Sequence, residues 1–247
     1  MKNKILKTML ALAMVVTVTV GGMLPISAAP LTRNSDVSVT VVEGDVAPPD
    51  DLEDADPEEV PGGGPGTTDP EDVTGSFALL YVPVEFNFAD IEAGSFTTSA
   101  LNIAIDPTKE SATGTNPTTK DAAVADLRGS REGWKLTGTL SELKDEDTNK
   151  VLTGASITAT SELFELAADW SVNAPNATEA PTAPTALTFE ADTEALVMGA
   201  AVGVGQGLWN ARMTDVTLVI PAATANALEA GDNYTGTILW TLSDVPL

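Results

Sequence analysis

Hydrophobic and polar residues alternate with a period of two along most of the chain after Val73. Successive side chains of a strand point to opposite faces, so an alternating stretch such as Ile238, Trp240 and Leu242 predicts a strand with one buried face. Similar stretches occur at Leu79/Tyr81, Leu101/Ile103/Ile105, Trp134/Leu136/Leu140 and Val216/Leu218/Ile220. Because Gly, Pro and Asn separate them, we predict an all-β fold, an antiparallel β-sandwich or barrel-like domain. One Ala-rich stretch, 190–196, instead predicts a short helix.

An acidic segment precedes the alternating region. Residues 43–72 contain twelve acidic side chains, no basic ones and many Pro and Gly residues, which predicts a disordered linker over 29–76. The linker is either a plain spacer or an acidic docking segment. Within it, 36–42 alternates like a strand and is either an edge strand or part of the tail. The predicted organisation is a signal peptide at 1–28, this linker, and one β domain at 77–247.

The first residues have the order of a secretory signal peptide. Three lysines precede an apolar run from Met9 to Val20, and small residues follow, which places cleavage after Ala28. A membrane anchor needs about 20 unbroken apolar residues, whereas Thr17 and Thr19 interrupt this run. We therefore expect a secreted protein with no transmembrane span in the mature chain. Removal of three lysines and no acid leaves 9 basic and 36 acidic residues, a net charge of −27.

Composition excludes much of the usual catalytic chemistry. The chain has no His and no Cys, so a Ser-His-Asp triad, a Cys nucleophile, a Cys/His zinc site and disulfides are all absent. A glycosidase needs only two carboxylates, but no pair among the 36 acids is marked by its spacing. Nucleic acid is an unexpected partner because phosphate backbones are bound by clustered Lys and Arg. We expect a binding protein, not an enzyme, without cofactor or metal.

One acidic stretch begins like a calcium-binding loop. Asp145, Asp147 and Asn149 have the spacing of the first three ligands, but Lys150 replaces the glycine at position six and Ser156 the acid at position twelve. The stretch therefore predicts a polar hairpin turn between strands that end near 143 and begin at 151.

Two predicted strands repeat a Trp-x-Leu pattern, at Trp134–Leu136 and at Trp240–Leu242. In each strand the Trp and Leu share one face, and the opposite face is rich in hydroxyl groups. Lys135, Thr137 and Thr139 occupy that face in the first strand, and Thr235, Thr237 and Thr241 in the second.

The two motifs and their surroundings resemble the WxL family of surface proteins from low-GC Gram-positive bacteria. The first Trp-x-Leu follows residues 126–129 and Gly133, and a Gly-rich turn at 201–209 lies between the motifs. The second motif is carried by Tyr234, Ile238, Trp240, Leu242 and Pro246. The resemblance covers 77–247 and implies a domain that binds peptidoglycan non-covalently at the cell surface. It also implies other WxL proteins and a membrane-anchored WxL-interacting protein as partners.

The candidate site residues fall into three groups. The motif residues Trp134, Leu136, Tyr234, Trp240, Leu242 and Pro246 are either structural or wall-binding, since a strand Trp can belong to the core or to an exposed shelf for sugar rings. The candidate ligand-facing aromatics are Trp170, at the end of a strand, and Trp209, after a run of glycines. Arg128, Arg131 and Lys135 cluster near the first motif and either face wall carboxylates and phosphates or balance neighbouring acids.

Two functions fit these observations. The first is direct, non-covalent binding to the peptidoglycan of the cell wall. The alternative is a protein-binding scaffold of a surface complex whose wall association is indirect.

Overall fold

The structure is a computed structural model, and it describes residues 31–43, 76–94, 96–109, 118–167 and 172–247. These residues form thirteen strands and one four-residue helix. The strands are β1 (Leu31–Glu43), β2 (Phe77–Tyr81), β3 (Glu85–Asn87), β4 (Ile91–Ala93), β5 (Leu101–Ala104), β6 (Lys120–Asp126), β7 (Trp134–Leu140), β8 (Ser156–Leu166), β9 (Val172–Asn173), β10 (Ala186–Glu190), β11 (Glu194–Ala200), β12 (Gly207–Ile220) and β13 (Asn233–Ser243), with α1 at Ala222–Ala225 between β12 and β13.

The strands form two curled sheets around one hydrophobic core, which confirms the predicted all-β fold. The first sheet has the order β11-β7-β13-β1-β3, and β4 also pairs with β1. The second has the order β10-β8-β12-β6-β2, with β5 beside β12 and β9 beside β8. Most neighbouring strands are antiparallel, whereas β1 runs parallel to β3 and β4. Inward-facing side chains from both sheets fill the space between them.

β1 lies inside the first sheet, between β13 and β3. Its residues pair with β13 from Leu31, opposite Leu242, to Thr40, opposite Asn233. This corrects the predicted organisation, in which the folded domain starts at 77 and 36–42 is an edge strand or tail. The physical reason is burial, because the alternating Val37 and Val39 are each 1% exposed and belong to the core. Residues 44–75, outside the described part of the chain, therefore connect two strands of one domain.

The alternating stretches predict the strands well. All five lie in β2, β5, β7, β12 and β13, except that Ile105 follows β5 and forms a single bridge with Phe88. The predicted helix at 190–196 is wrong. β10 ends at Glu190 and β11 begins at Glu194, and Asp192 turns the chain with a φ of 56°. β11 is held as a strand by its pairing with β7, which outweighs the helical preference of alanine.

The stretch that begins like a calcium loop is the predicted hairpin turn. Lys144 and Val151 form an antiparallel bridge across it. The Asp145 carboxylate accepts hydrogen bonds from the backbone N–H groups of Asp147 and Thr148, each at 2.9 Å. These bonds within the turn stabilise its conformation. The other oxygen of Asp145 accepts from the N–H of Asn233 at 2.8 Å and ties the turn to the start of β13.

Candidate functional site

The two Trp-x-Leu motifs lie side by side in the first sheet. β7 and β13 pair antiparallel, with Leu136 opposite Leu242 and Trp240 opposite Gly138. The side chains of Trp134, Leu136, Trp240 and Leu242 are all 0% exposed. Of the two interpretations open in the sequence, a core position or an exposed shelf, the structure therefore places all four in the core.

Gly205 holds two tryptophans at the edge of this core. The indole Nε1–H groups of Trp134 and Trp209 both donate to the carbonyl oxygen of Gly205, each at 3.0 Å. Gly205 has a φ of 80°, and a Cβ there would lie 2.2 Å from the Cβ of Ala200. The Gly-rich turn at 201–206 therefore supplies a hydrogen-bond acceptor for buried indoles at a position where only glycine fits.

The prediction that Trp209 faces a ligand is wrong. Its side chain is 0% exposed and points into the core, since β12 crosses the middle of the second sheet. The glycines before it bring a backbone carbonyl to the indole and do not open a surface. Trp170, the other candidate aromatic, lies outside the described residues.

Trp240 is fixed from two directions. Its Nε1–H donates to Ser35 Oγ of β1 at 2.6 Å, and Ser35 Oγ in turn donates to the carbonyl of Pro83. The ring also packs edge to face against Phe189 of the second sheet, with centroids 5.7 Å apart. The second motif therefore joins the two sheets and the first strand to the last.

Tyr234 and Pro246 close opposite ends of β13. The Tyr234 hydroxyl donates to Asp232 at 3.1 Å, and burial together with the charge of Asp232 raises the pKa of Tyr234 to about 12. Lys150 forms ion pairs with Asp232 and Glu229 at 2.7 and 2.6 Å. Pro246 is exposed and packs against Gly133, where an added Cβ would lie 2.6 Å from the Pro246 Cβ.

The three clustered basic residues all have acidic partners. Arg128 pairs with buried Asp126 at 2.9 Å, and this side-chain hydrogen bond raises the pKa of Arg128. Arg131 pairs with Glu179 at 3.1 Å. Lys135 pairs with Glu194 at 2.9 Å. Of the two roles open in the sequence, the balance of neighbouring acids is the one that these contacts fit.

Four exposed aliphatic side chains, which we call the apolar rim, belong to loops at the end of the domain where β7 begins. The rim consists of Leu127, Val202, Val245 and Leu247, which are between 51% and 71% exposed. Contacts between their loops place them together: Gly203 N donates to Arg131 O, and Leu247 N donates to Ala200 O. No pattern in the sequence marks this rim, because its members come from three separate loops.

The outer surface of the first sheet carries several hydroxyl groups, and Leu239 of β13 is exposed among them. We call this surface the hydroxyl face, formed by Thr32, Asn34, Asp36 and Ser38 of β1 and by Thr235, Thr237 and Thr241 of β13. In the paired register, Asp36 lies opposite Thr237 and Ser38 lies opposite Thr235. The sequence predicts the hydroxyl groups of β13, but the contribution of β1 depends on a pairing that the sequence does not reveal.

A groove of about 700 Å³ lies at one end of the hydroxyl face. Asp36, Ser38, Thr235 and Thr237 contribute to its lining, as do the loop at 141–146 and Asp192. Among the residues that the structure describes, no aromatic side chain lines the groove, and the carboxylates there outnumber one basic group, Lys144.

Within the described ranges, no cluster of three or more acidic, His or Cys side chains is placed to hold a metal ion. No helix of those ranges has the length and apolar character required to cross a membrane.

Comparison with known proteins identifies one family. The family model of the WxL domain, described as surface cell wall-binding, matches residues 28–246. The match includes β1 as well as both Trp-x-Leu strands. No curated protein and no solved structure matches the chain. Since the family model covers nearly the whole sequence, this chain belongs to the WxL domain family of surface cell wall-binding proteins.

Proposed function

We propose that this protein is exported by a Gram-positive bacterium and binds the peptidoglycan of the cell wall directly and non-covalently. The observation that carries the proposal is the match of a surface cell wall-binding family over 28–246. The signal peptide predicted at 1–28 supports export. The role of a binding protein, not an enzyme, agrees with a sequence without His or Cys.

The net charge of the protein limits which polymers of the wall it can bind. The mature chain has a net charge of −27 by the count above, so anionic wall polymers repel it unless salt or divalent cations intervene. Arg128, Arg131 and Lys135 are already paired with acids. Binding through uncharged glycan or peptide groups therefore explains wall attachment better than binding to teichoic phosphates.

The test is co-sedimentation of the chain 29–247 with protein-free sacculi. This chain retains β1, whose loss would remove Val37 and Val39 from the core and Ser35, the hydrogen-bond partner of Trp240. Sacculi with and without teichoic acids, and with EDTA, are compared. We expect binding to bare sacculi that survives EDTA. A chain that stays in solution with every preparation would refute direct binding.

The apolar rim favours a second candidate, a protein-binding scaffold whose wall association is indirect. Four exposed aliphatic side chains at one end of a domain suit a protein interface better than a sugar, whose hydroxyl groups need hydrogen-bond partners. The candidate partners are other WxL proteins and a membrane-anchored WxL-interacting protein. Sedimentation that appears only after such a partner is added, and is lost in Val202→Asp, would favour this function over direct binding.

A further inference from the structure

We propose that the groove at the end of the hydroxyl face is the wall-contacting site and that it binds the uncharged glycan strand of the wall, not its peptides or its anionic polymers. This inference rests on the proposed function and adds the surface and the ligand class.

The size and lining of the groove fit a polyhydroxy ligand. Its volume of about 700 Å³ lies within the roughly 300–1,000 Å³ of ordinary small-molecule sites. Its floor presents hydroxyl groups and a carboxylate on two adjacent strands, with Asp36 opposite Thr237 and Ser38 opposite Thr235. Side chains opposite each other in an antiparallel pair are about 5 Å apart, which is close to the length of one sugar ring.

The acceptors in the groove have unused hydrogen-bonding capacity. Asp36, Glu142 and Asp192 form no ion pair with any described residue. A sugar hydroxyl donates to a carboxylate in a charge-assisted hydrogen bond, which is stronger than a bond between neutral groups. The same three carboxylates repel phosphates and carboxylates, so the groove selects against teichoic polymers and free peptide carboxyl groups.

Hydrogen bonds join the loop at 141–146 to β13 along the groove, and such preorganisation reduces the entropic cost of binding. Ser141 Oγ accepts the N–H of Thr237 at 2.9 Å, and Ser141 N donates to Thr237 O at 2.8 Å. Lys144 N donates to Thr235 O at 2.8 Å. A Cβ at Gly236 would lie 2.9 Å from Ser141 Oγ, so glycine permits the loop at 141–146 to lie against β13. These bonds fix the loop and the floor before a ligand arrives.

The test compares the same substitutions at two outward-facing threonines in the chain 29–247, the half-buried Thr237 and the exposed Thr188. Thr237 lies in the groove, whereas Thr188 lies on β10 of the second sheet, away from it. Thr237→Val removes a hydroxyl and keeps the volume, and we expect about a fivefold weaker affinity for bare sacculi, since a neutral hydrogen bond contributes about 1 kcal/mol. Thr237→Arg fills the groove, and we expect a loss of at least about tenfold. Thr188→Val and Thr188→Arg, with the same changes in charge and size, should bind as the parent chain does.

Thermal unfolding of all four variants separates lost binding from lost folding. A Thr237→Arg chain that melts as Thr188→Arg does but no longer sediments supports the site. Equal sedimentation of the Thr237 and Thr188 variants would overturn the groove assignment and leave wall binding intact. Failure of the parent chain to sediment would remove the proposed function and this inference together.

Competition identifies the ligand class. We expect a β-1,4-linked N-acetylglucosamine pentamer, which is uncharged and has the backbone linkage of the glycan strand, to displace the parent chain from sacculi. Released stem peptides and purified teichoic acid should not displace it. Displacement by stem peptides alone would contradict the glycan assignment while wall binding still stands.

Discussion

The indole of Trp240 donates a hydrogen bond to Ser35 Oγ although 205 residues separate them in the sequence. Ser35 is 0% exposed and belongs to β1, and Trp240 belongs to the second Trp-x-Leu motif. The motif that marks the family is thus completed by a strand that precedes the acidic segment.

Ser35→Ala should destabilise the domain, because it leaves a buried indole N–H and a buried carbonyl without partners. The expected loss in free energy of unfolding is about 1–3 kcal/mol, measured by urea denaturation. Asn34→Ala is the control, because Asn34 is exposed on the hydroxyl face, and such surface changes alter stability by about 0.5 kcal/mol or less. Equal effects of the two substitutions would contradict the role of Ser35.

Gly205→Ala should cost more stability than Gly203→Ala. Both glycines have positive φ, 80° and 100°, so each substitution strains the backbone by about 1–3 kcal/mol. Only the Cβ at 205 meets a neighbour, Ala200 Cβ at 2.2 Å, whereas nothing lies within 4 Å of a Cβ at 203. The clash should add about 1–3 kcal/mol and move the carbonyl that accepts two indole N–H groups, which tryptophan fluorescence would report. Equal unfolding midpoints would contradict this account.

Trp134→Ala should lower stability by about 3–5 kcal/mol, as truncation of a large buried aromatic does. Any loss of wall binding should then follow the fraction of unfolded chain across a temperature series. If binding disappears while the melting temperature is unchanged, Trp134 contacts the wall directly, and its assignment to the core is incomplete.

Acid should weaken the turn at 145–148. Hydrogen bonds from the N–H groups of Asn233 and Thr148 lower the pKa of Asp145 below that of a free aspartate. Since the pKa is lower in the folded chain, the stabilisation is complete above the unfolded pKa of about 4 and is lost as pH falls through the folded pKa. Urea unfolding from pH 7 to pH 3 should show a smaller decline for Asp145→Asn than for the parent. Asp147→Asn, at an exposed neighbour, should decline as the parent does.

Short sequence patterns predicted the features that depend only on neighbouring residues, namely most strands and one hairpin turn. The alternation at 238–242 and the Trp-x-Leu motifs predict strands because the inward and outward faces of a half-buried strand depend on neighbouring residues alone. The hairpin turn at 145–149 was predictable for the same reason. The short helix at 190–196 failed because strand pairing with β7 outweighs the local preference of alanine.

Such patterns could not predict which distant segments of the chain pair with each other. β1 resembles a tail because its polar residues adjoin the acidic segment, and only its partner β13 shows that Val37 is core. Trp209 follows glycines, and alternation alone does not say which face of β12 points inward. The partners of Arg131 and Lys135 are Glu179 and Glu194, far along the sequence. For this reason the groove, which combines β1, β13 and a loop, became visible only in three dimensions.

The position of β1 determines what cleavage of the acidic segment would do to the protein. Because strands of the same domain flank 44–75, a cut at an engineered protease site there would not release a tether from a module. It would produce two fragments that remain associated through the β1–β13 ladder and the buried side chains of Val37 and Val39. The nicked protein should elute as one species under native conditions and as two in denaturant. The cut protein would then consist of two fragments that form the complete fold together, with the short fragment supplying the strand β1 that the long fragment lacks.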